Sequence, residues 1–224
     1  MEGDKDNGAS PPGERFRWMF VFAIGGDLRF ISHHDTLRLF RRALARADIP
    51  VRFSEGFNPH PRIMIPLPRP VGIASRAEAL VIETERLIDP DHALQRLDDQ
   101  TPENIRMISV RRLNNRESII AESGRYRLDL GESAPTDLAA RVQTILDSSV
   151  VHVQRAIPKS SQTKRVDIRP FITNLSVDGN AVEITLRVMD GRSCKPAEIA
   201  SLLGCDAGSI NHRIERMEVQ WRQN

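Results

Sequence analysis

Aromatic and β-branched residues crowd RFRWMFVFAI, Arg15 to Ile24, and predict a strand. Gly25, Gly26 and Asp27 break it. The spacing then changes. Through SHHDTLRLFRRALARADIP, Leu37, Phe40, Leu44 and Ala47 recur at helical intervals on one face, and Pro50 ends the run. VRFSE and RIMIPLP read as short strands around a loop, AEALVIETE as a strand, DPDHALQRLDDQ as a short helix and NIRMISVRRL as a strand. The order is β-α-β-β-β-α-β, which without the extra strand is the ferredoxin-like βαββαβ unit.

The pattern then recurs. RYRLDL is a strand, TDLAARVQTILDSS a helix with Thr136 as its cap, and VVHVQRA a strand. KRVDIRPFITNLSV and AVEITLRVM are strands flanking the hairpin signal DGN. KPAEIASLLG is a helix with a glycine stop, and INHRIERMEVQW a closing strand. The expected fold is α+β, with two tandem ferredoxin-like domains at 15–114 and 123–224. Residues 1–14 are expected to be a disordered leader, and NNRESIIAESG the junction.

Composition changes this picture little. Of 224 residues, 32 are basic and 30 acidic, leaving a net charge of +2, too small to define a partner class. Cys194 and Cys205 form no CxxC or CxxH pair, which argues against a zinc site or a disulfide framework and fits a reducing interior. No apolar run reaches the roughly 20 residues of a membrane span, and the N-terminus lacks a signal-peptide pattern. The expected location is the cytoplasm.

Local charge is more telling. From Asp27 to Arg62 seven arginines stand against four acids, with no lysine. Arg38, Arg41, Arg42 and Arg46 lie opposite the apolar stripe of the first helix. They read either as a solvated face or as contacts for phosphate, which guanidinium groups bind bidentately. At the start of that helix, Ser32 and Asp35 fit a variant capping box. His33 and His34 are left over, and a neutral imidazole there suits a general base or a metal ligand. Adjacent histidines point about 100° apart on a helix, so they would not share one ion.

The loop SEGFNPHPR, Ser54 to Arg62, concentrates special residues. Gly56 permits unusual backbone conformations, while Pro59 and Pro61 hold Asn58 and His60 extended. Phe57 is either a core plug or a stacking surface for a base. Ser54, Asn58, His60 and Arg62 offer hydrogen bonds and charge. The alternative is a rigid connection with Phe57 buried and His60 on a carbonyl.

LRFISHHDTLRLFRRALARADIPVRFSEGFNPHPRIMIPLPRPVGIASRAE resembles the radical-SAM-linked domain family of bacteria. The likeness rests on Ser32, His33, Asp35, Arg38 and Arg42 and on Ser54, Gly56, Phe57, Asn58, Pro59, His60 and Pro61, while His34 departs from an apolar family position. KRVDIRPFI is also similar to a family strand. The resemblance implies a radical SAM protein encoded nearby as partner, often with a cobalamin-binding-like region, and RNA processing in the neighbourhood. This chain has no Cys-x3-Cys-x2-Cys motif. An iron–sulfur cluster and S-adenosylmethionine, with cobalamin as a further option, are therefore expected on the partner and no cofactor or metal here.

In the second half, Lys159, Lys164, Arg165 and Arg169 mark either an ordinary exposed face or a second RNA-contacting stripe. Arg165, Asp167 and Arg169 would share one face of a single strand. Three functions remain open: an accessory module presenting tRNA or rRNA to a radical SAM enzyme, a stand-alone RNA hydrolase using His33, His60 and Asp35, or a protein-interaction module.

Overall fold

The computed structural model describes residues 15–158, 160–206 and 210–222. The expected leader lies outside these. Among the described residues, four α-helices and one mixed eight-stranded sheet form an α+β fold, with a separate two-stranded hairpin.

Strand β1 (Phe16–Ile24) buries Phe16, Trp18, Phe20, Phe22 and Ile24, every second residue, against helix α1 (His33–Arg46). Phe40 of that helix meets Phe22 edge to face at 4.6 Å, a favoured aromatic geometry. β1 pairs antiparallel with β3 (Ala74–Thr84) on one side and β4 (Ile105–Leu113) on the other. Helix α2 (Pro90–Asp98) connects those two strands and buries Ala93 and Leu97 in the same core.

β2 is only Ile63–Met64, paired antiparallel with β3. The strand expected at VRFSE is reduced to single bridges, Val51 to Thr84 and Phe53 to Pro61. The reason is proline: positions 50, 59, 61, 66, 68 and 70 carry no N–H for a ladder.

After β4 the chain crosses the sheet. β4 lies at an edge, and β5 (Ala121–Asp129) is four strands away, roughly 19 Å at ordinary strand spacing. Residues 114–120 make the crossing, opening with a turn in which the Glu117 N–H donates to the Asn114 carbonyl at 3.0 Å. Ile119 covers Met19, Ala79 and Val81 on the face away from α1. Arg17 holds the linker by donating to the carbonyls of Asn114 (3.2 Å) and Glu117 (2.7 Å).

Beyond β5 come α3 (Leu138–Asp147), the hairpin β6 (His152–Ala156) and β7 (Thr163–Asp167), β8 (Ile172–Asp178), β9 (Ala181–Arg187), α4 (Pro196–Leu202) and β10 (Ile214–Trp221). The main sheet runs β4-β1-β3-β10-β5-β9-β8. Two expectations need correction. KRVDIRPFITNLSV is not one strand: Arg169–Phe171 forms a 3-10 turn between β7 and β8. Asp167 promotes the break by accepting from the N–H groups of Val151 and Arg169 at 3.0 Å each, and Pro170 cannot donate. At α3 the cap is Asp137, not Thr136, and no side chain closes it.

β10 joins the two runs. It pairs antiparallel with β5 and parallel with β3, the latter only at Glu215 with Ala74 and Arg216 with Ser75. Behind this short seam Arg216 Nη1 meets Glu78 Oε1 at 2.8 Å, both side chains at most 3% exposed. Arg216 also donates to the carbonyl of Leu67 at 3.1 Å and lies over the Tyr126 ring at 5.5 Å. Burial disfavours its charge, but Glu78 and Tyr126 outweigh that and hold the guanidinium pKa above its ordinary value.

Removing one member of such a pair strands a buried charge. Glu78→Ala should lose about 3–5 kcal/mol in urea unfolding. The double replacement Glu78→Leu with Arg216→Met should recover most of that loss, because it removes both charges together.

Candidate functional site

The N-terminus of α1 is built as a cap. Ser32 Oγ accepts from the Asp35 N–H at 3.1 Å, and its hydroxyl donates to Asp35 Oδ2 at 2.7 Å. The reciprocal arm thus ends on the hydroxyl and not on the Ser32 N–H. Thr36 donates to the Ser32 carbonyl at 2.9 Å. The Ser32 hydrogen bond, aided by Arg38, holds the Asp35 carboxyl below its ordinary pKa.

His33 turns inward. With Thr36, Arg69 and Glu78 it lines a cavity of about 10 Å³, closed by Phe22, Ile24 and Ile65, about the size for one water. Burial and the neighbouring His34, its ring 5.7 Å away, lower the His33 pKa, partly offset by Glu78. The imidazole is therefore neutral at pH 7.

Arg69 and Glu78 were missed by sequence reasoning. Arg69 Nη1 donates to the carbonyls of Arg29 (2.6 Å), Pro70 (3.3 Å) and Ile73. With Arg216 on the Leu67 carbonyl, it straps down the proline-rich segment from two sides. The signal was available: a glutamate inside the apolar run AEALVIETE is a residue type almost never buried unless paired.

On the outer side of α1, Arg38, Arg42 and Arg46 line a groove of about 620 Å³ with Gln100 and Pro102 as its far wall. Arg38 reaches Asp35 at 3.5 Å, and Arg46 donates to the Gln100 carbonyl at 2.7 Å. Arg41 and Arg42 are exposed, and no hydrogen bond or ion pair engages their side chains among the described residues.

The loop 54–62 is a stitched finger. The Ser54 N–H donates to the His60 carbonyl (2.8 Å), and the His60 N–H donates to Ser54 Oγ (2.9 Å). Below these bonds the Arg62 N–H donates to the Arg52 carbonyl, and the Glu83 N–H of β3 to the Arg62 carbonyl. Gly56 makes the turn at φ +117°, a conformation that favours glycine. Phe57 at the tip is 107% exposed, so it is not a core plug. Asn58, Pro59 and His60 are exposed beside it, and Phe53 and Met64 add apolar surface at the base. Ser54 thus serves the finger's geometry, while the side chains of Phe57, Asn58, His60 and Arg62 face solvent.

No contact joins His60 to His33 or Asp35 among the described residues. His33 lines the inner cavity and Asp35 the outer groove, and His60 lines neither.

In the second half the arginine stripe divides. Lys164 and Arg165 are exposed on β7, with Arg165 Nη2 2.9 Å from His152 Nδ1. Arg169 does not share their face. It donates to the carbonyls of Leu146, Ser148 and Ile172, tying off the end of α3, which neutralises that helix's free acceptors. Lys159 lies outside the described residues. Cys194 is buried, and burial pushes its thiol pKa up, the opposite of a nucleophile. Among the described residues no cluster of three His, Cys, Asp or Glu side chains could hold a metal, and no helix is long and apolar enough to cross a membrane.

Fold and site together define an α+β protein with one mixed sheet, a half-buried histidine under a capped arginine helix, and a rigid aromatic finger. The chain belongs to the family described as an uncharacterized protein conserved in bacteria (DUF2344), whose model matches residues 17–196. Comparison with curated proteins finds no match.

The His33 shift has a pH consequence. Its folded pKa lies below the unfolded value of about 6.5, so the unfolded chain binds the extra proton first. The stability contributed by neutral His33 is present above the unfolded value and is lost as the pH drops through the folded pKa. Urea unfolding from pH 7.5 to 5 should show this decline, and His33→Gln should make it shallower. An NMR titration should place the His33 midpoint below that of a free histidine.

Proposed function

We propose that this protein is an accessory module that grips RNA, or another phosphate-bearing chain, for a radical SAM enzyme encoded nearby. The observation that carries the reading is Phe57: a fully exposed aromatic on a loop stitched at its base. Leaving such a ring in water is unfavourable, and a rigid exposed aromatic is suited to stacking on a base. Arg41 and Arg42, with no acidic partner among the described residues, supply phosphate contacts on the helix. Arg38 and Arg62 extend that surface, and Lys164 and Arg165 form a separate basic strip.

In this reading the iron–sulfur cluster and S-adenosylmethionine, with or without cobalamin, belong to the partner. The resemblance in the GFNPHP region supports that pairing. We also read each run as a ferredoxin-like unit. The orders β4-β1-β3-β2 and β10-β5-β9-β8, antiparallel throughout, fit βαββαβ connectivity. The β6–β7 hairpin is then an insertion in the second unit.

Fluorescence anisotropy with single-stranded tRNA and rRNA fragments tests the RNA part. Phe57→Ala should weaken binding by about 1–3 kcal/mol. Arg41→Gln and Arg42→Gln should each reduce the salt slope by about 0.7. Binding without a salt slope, or none at all, removes RNA from the reading. Co-purification with the neighbouring radical SAM protein tests the partner. Complex formation that survives the arginine changes but fails with Phe57→Ala would favour a protein-docking finger.

A further inference from the structure

A large cavity lies away from the arginine helix and the finger. It encloses about 850 Å³ where β1 and β5 end and where β3 and β10 begin. Both runs of the chain contribute to its walls: Gly25, Arg29 and Arg76 from the first, Arg127, Glu132 and Arg213 from the second. That volume is in the range of small-molecule sites.

The charges are arranged unequally. Arg76 is paired with Glu215 at 2.7 Å, and Arg127 with Asp178 and Glu183 at 2.7 and 2.9 Å. Among the described residues, neither Arg29 nor Arg213 is in an ion pair with a carboxylate. Arg29 Nε donates to the Gly26 carbonyl (2.8 Å) and its Nη1 to the His212 carbonyl (2.9 Å), while Arg213 Nη1 donates to the Leu130 carbonyl (2.6 Å). Neutral carbonyls thus fix two guanidinium groups in place, and these bonds do not neutralise their charge. His212 lies between them in the chain and is exposed. Of the acids, Asp129 Oδ1 is occupied by the Gly131 N–H (2.9 Å). Among the described residues its second oxygen and the Glu132 carboxylate have no bonded partner, which makes them acceptors for hydroxyl groups.

Gly25 adds an independent argument. Its backbone is extended, at φ −148°, which any residue can adopt. A Cβ placed there would meet nothing within 4 Å. Folding does not require a glycine at 25, in contrast to Gly26, which sits at φ +48° with Asn104 against it. What the missing side chain does provide is open backbone on the cavity wall, the usual reason for glycine beside a ligand.

We propose that this cavity binds a small phosphate ester carrying hydroxyl groups, of the nucleoside monophosphate or sugar phosphate class. Arg29, Arg213 and His212 take the phosphate, Asp129 and Glu132 the hydroxyls, and Gly25 admits the ligand. The proposal is independent of RNA binding at the finger.

Isothermal titration calorimetry on the full chain tests it, with adenosine monophosphate, ribose 5-phosphate, inorganic phosphate and adenosine as probes. The two esters should bind and adenosine should not. Gly25→Leu should keep the wild-type melting temperature and weaken ester binding at least tenfold. His212→Glu, an exposed position, should do the same through charge. Both changes should leave RNA binding at the finger unaltered. Failure of both esters to bind would overturn the proposal, as would undiminished binding in both variants. Inorganic phosphate binding as tightly as the esters would overturn the hydroxyl assignment.

Discussion

Glu78 and Arg216 face each other across the seam where β3 meets β10, and nearly everything distinctive about the molecule hangs on that contact. The parallel pairing there spans two residue pairs, too few ladder bonds to fix two runs of chain against each other by themselves. The ion pair adds a directional bond in a site that water hardly reaches, where charges interact far more strongly than at the surface. The guanidinium makes further contacts. Arg216 reaches the carbonyls of Leu67 and Pro68, so the pair also holds the proline-rich strap. Among the described residues the Arg216 Nε has no partner, a cost that good packing alone would avoid. Charge is kept here for position rather than for net stability.

The same strand carries the consequences outward. Toward its C-terminal end β3 pairs with β2 and supports the base of the finger through Glu83. In its middle Glu78 lies beside His33 at the start of α1. At its N-terminal end Ala74 and Arg76 line the large cavity. A polar ladder of this kind explains why the finger can be rigid without being buried. Its anchor bonds run to backbone groups of a central strand, and only the tip is left without contacts.

Local rules of the sequence carried much of this. β1 and α1 follow from alternation and helical spacing, the Ser32 cap from its side-chain chemistry, and the β8–β9 hairpin from Asp178, Gly179 and Asn180, with Gly179 at φ +59°. What stayed hidden was set by distant partners. Arg216 sits in INHRIERMEVQW like any exposed strand arginine, and only the arrival of β3 buries it. Arg169 alternates with Arg165 on paper, yet Pro170 and the Asp167 turn swing it onto the end of α3. Phe57 was undecided because local pattern cannot tell a plug from a projection. The deciding factor is whether the loop folds back over the core, and the Ser54–His60 stitches close it outward. The cavity around Gly25 was invisible for the same reason, since its walls come from residues as distant in the chain as Gly25 and Met217.

The separation of the two surfaces has a physical consequence of its own. Arg76 and Ile82 mark, on β3, the cavity and the strand partner of the finger's base. Six residues of extended strand span about 20 Å. A ligand at one end and a macromolecule at the other would therefore not collide, and neither would need the other to leave. Between them lies the Glu78–Arg216 pair, packed and almost fully buried, which resists continuous deformation. A shift at the cavity mouth would reach the finger only by moving that pair, and moving it would break the seam. The arrangement favours two surfaces held at a fixed distance on one rigid element over a switch that passes a signal between them.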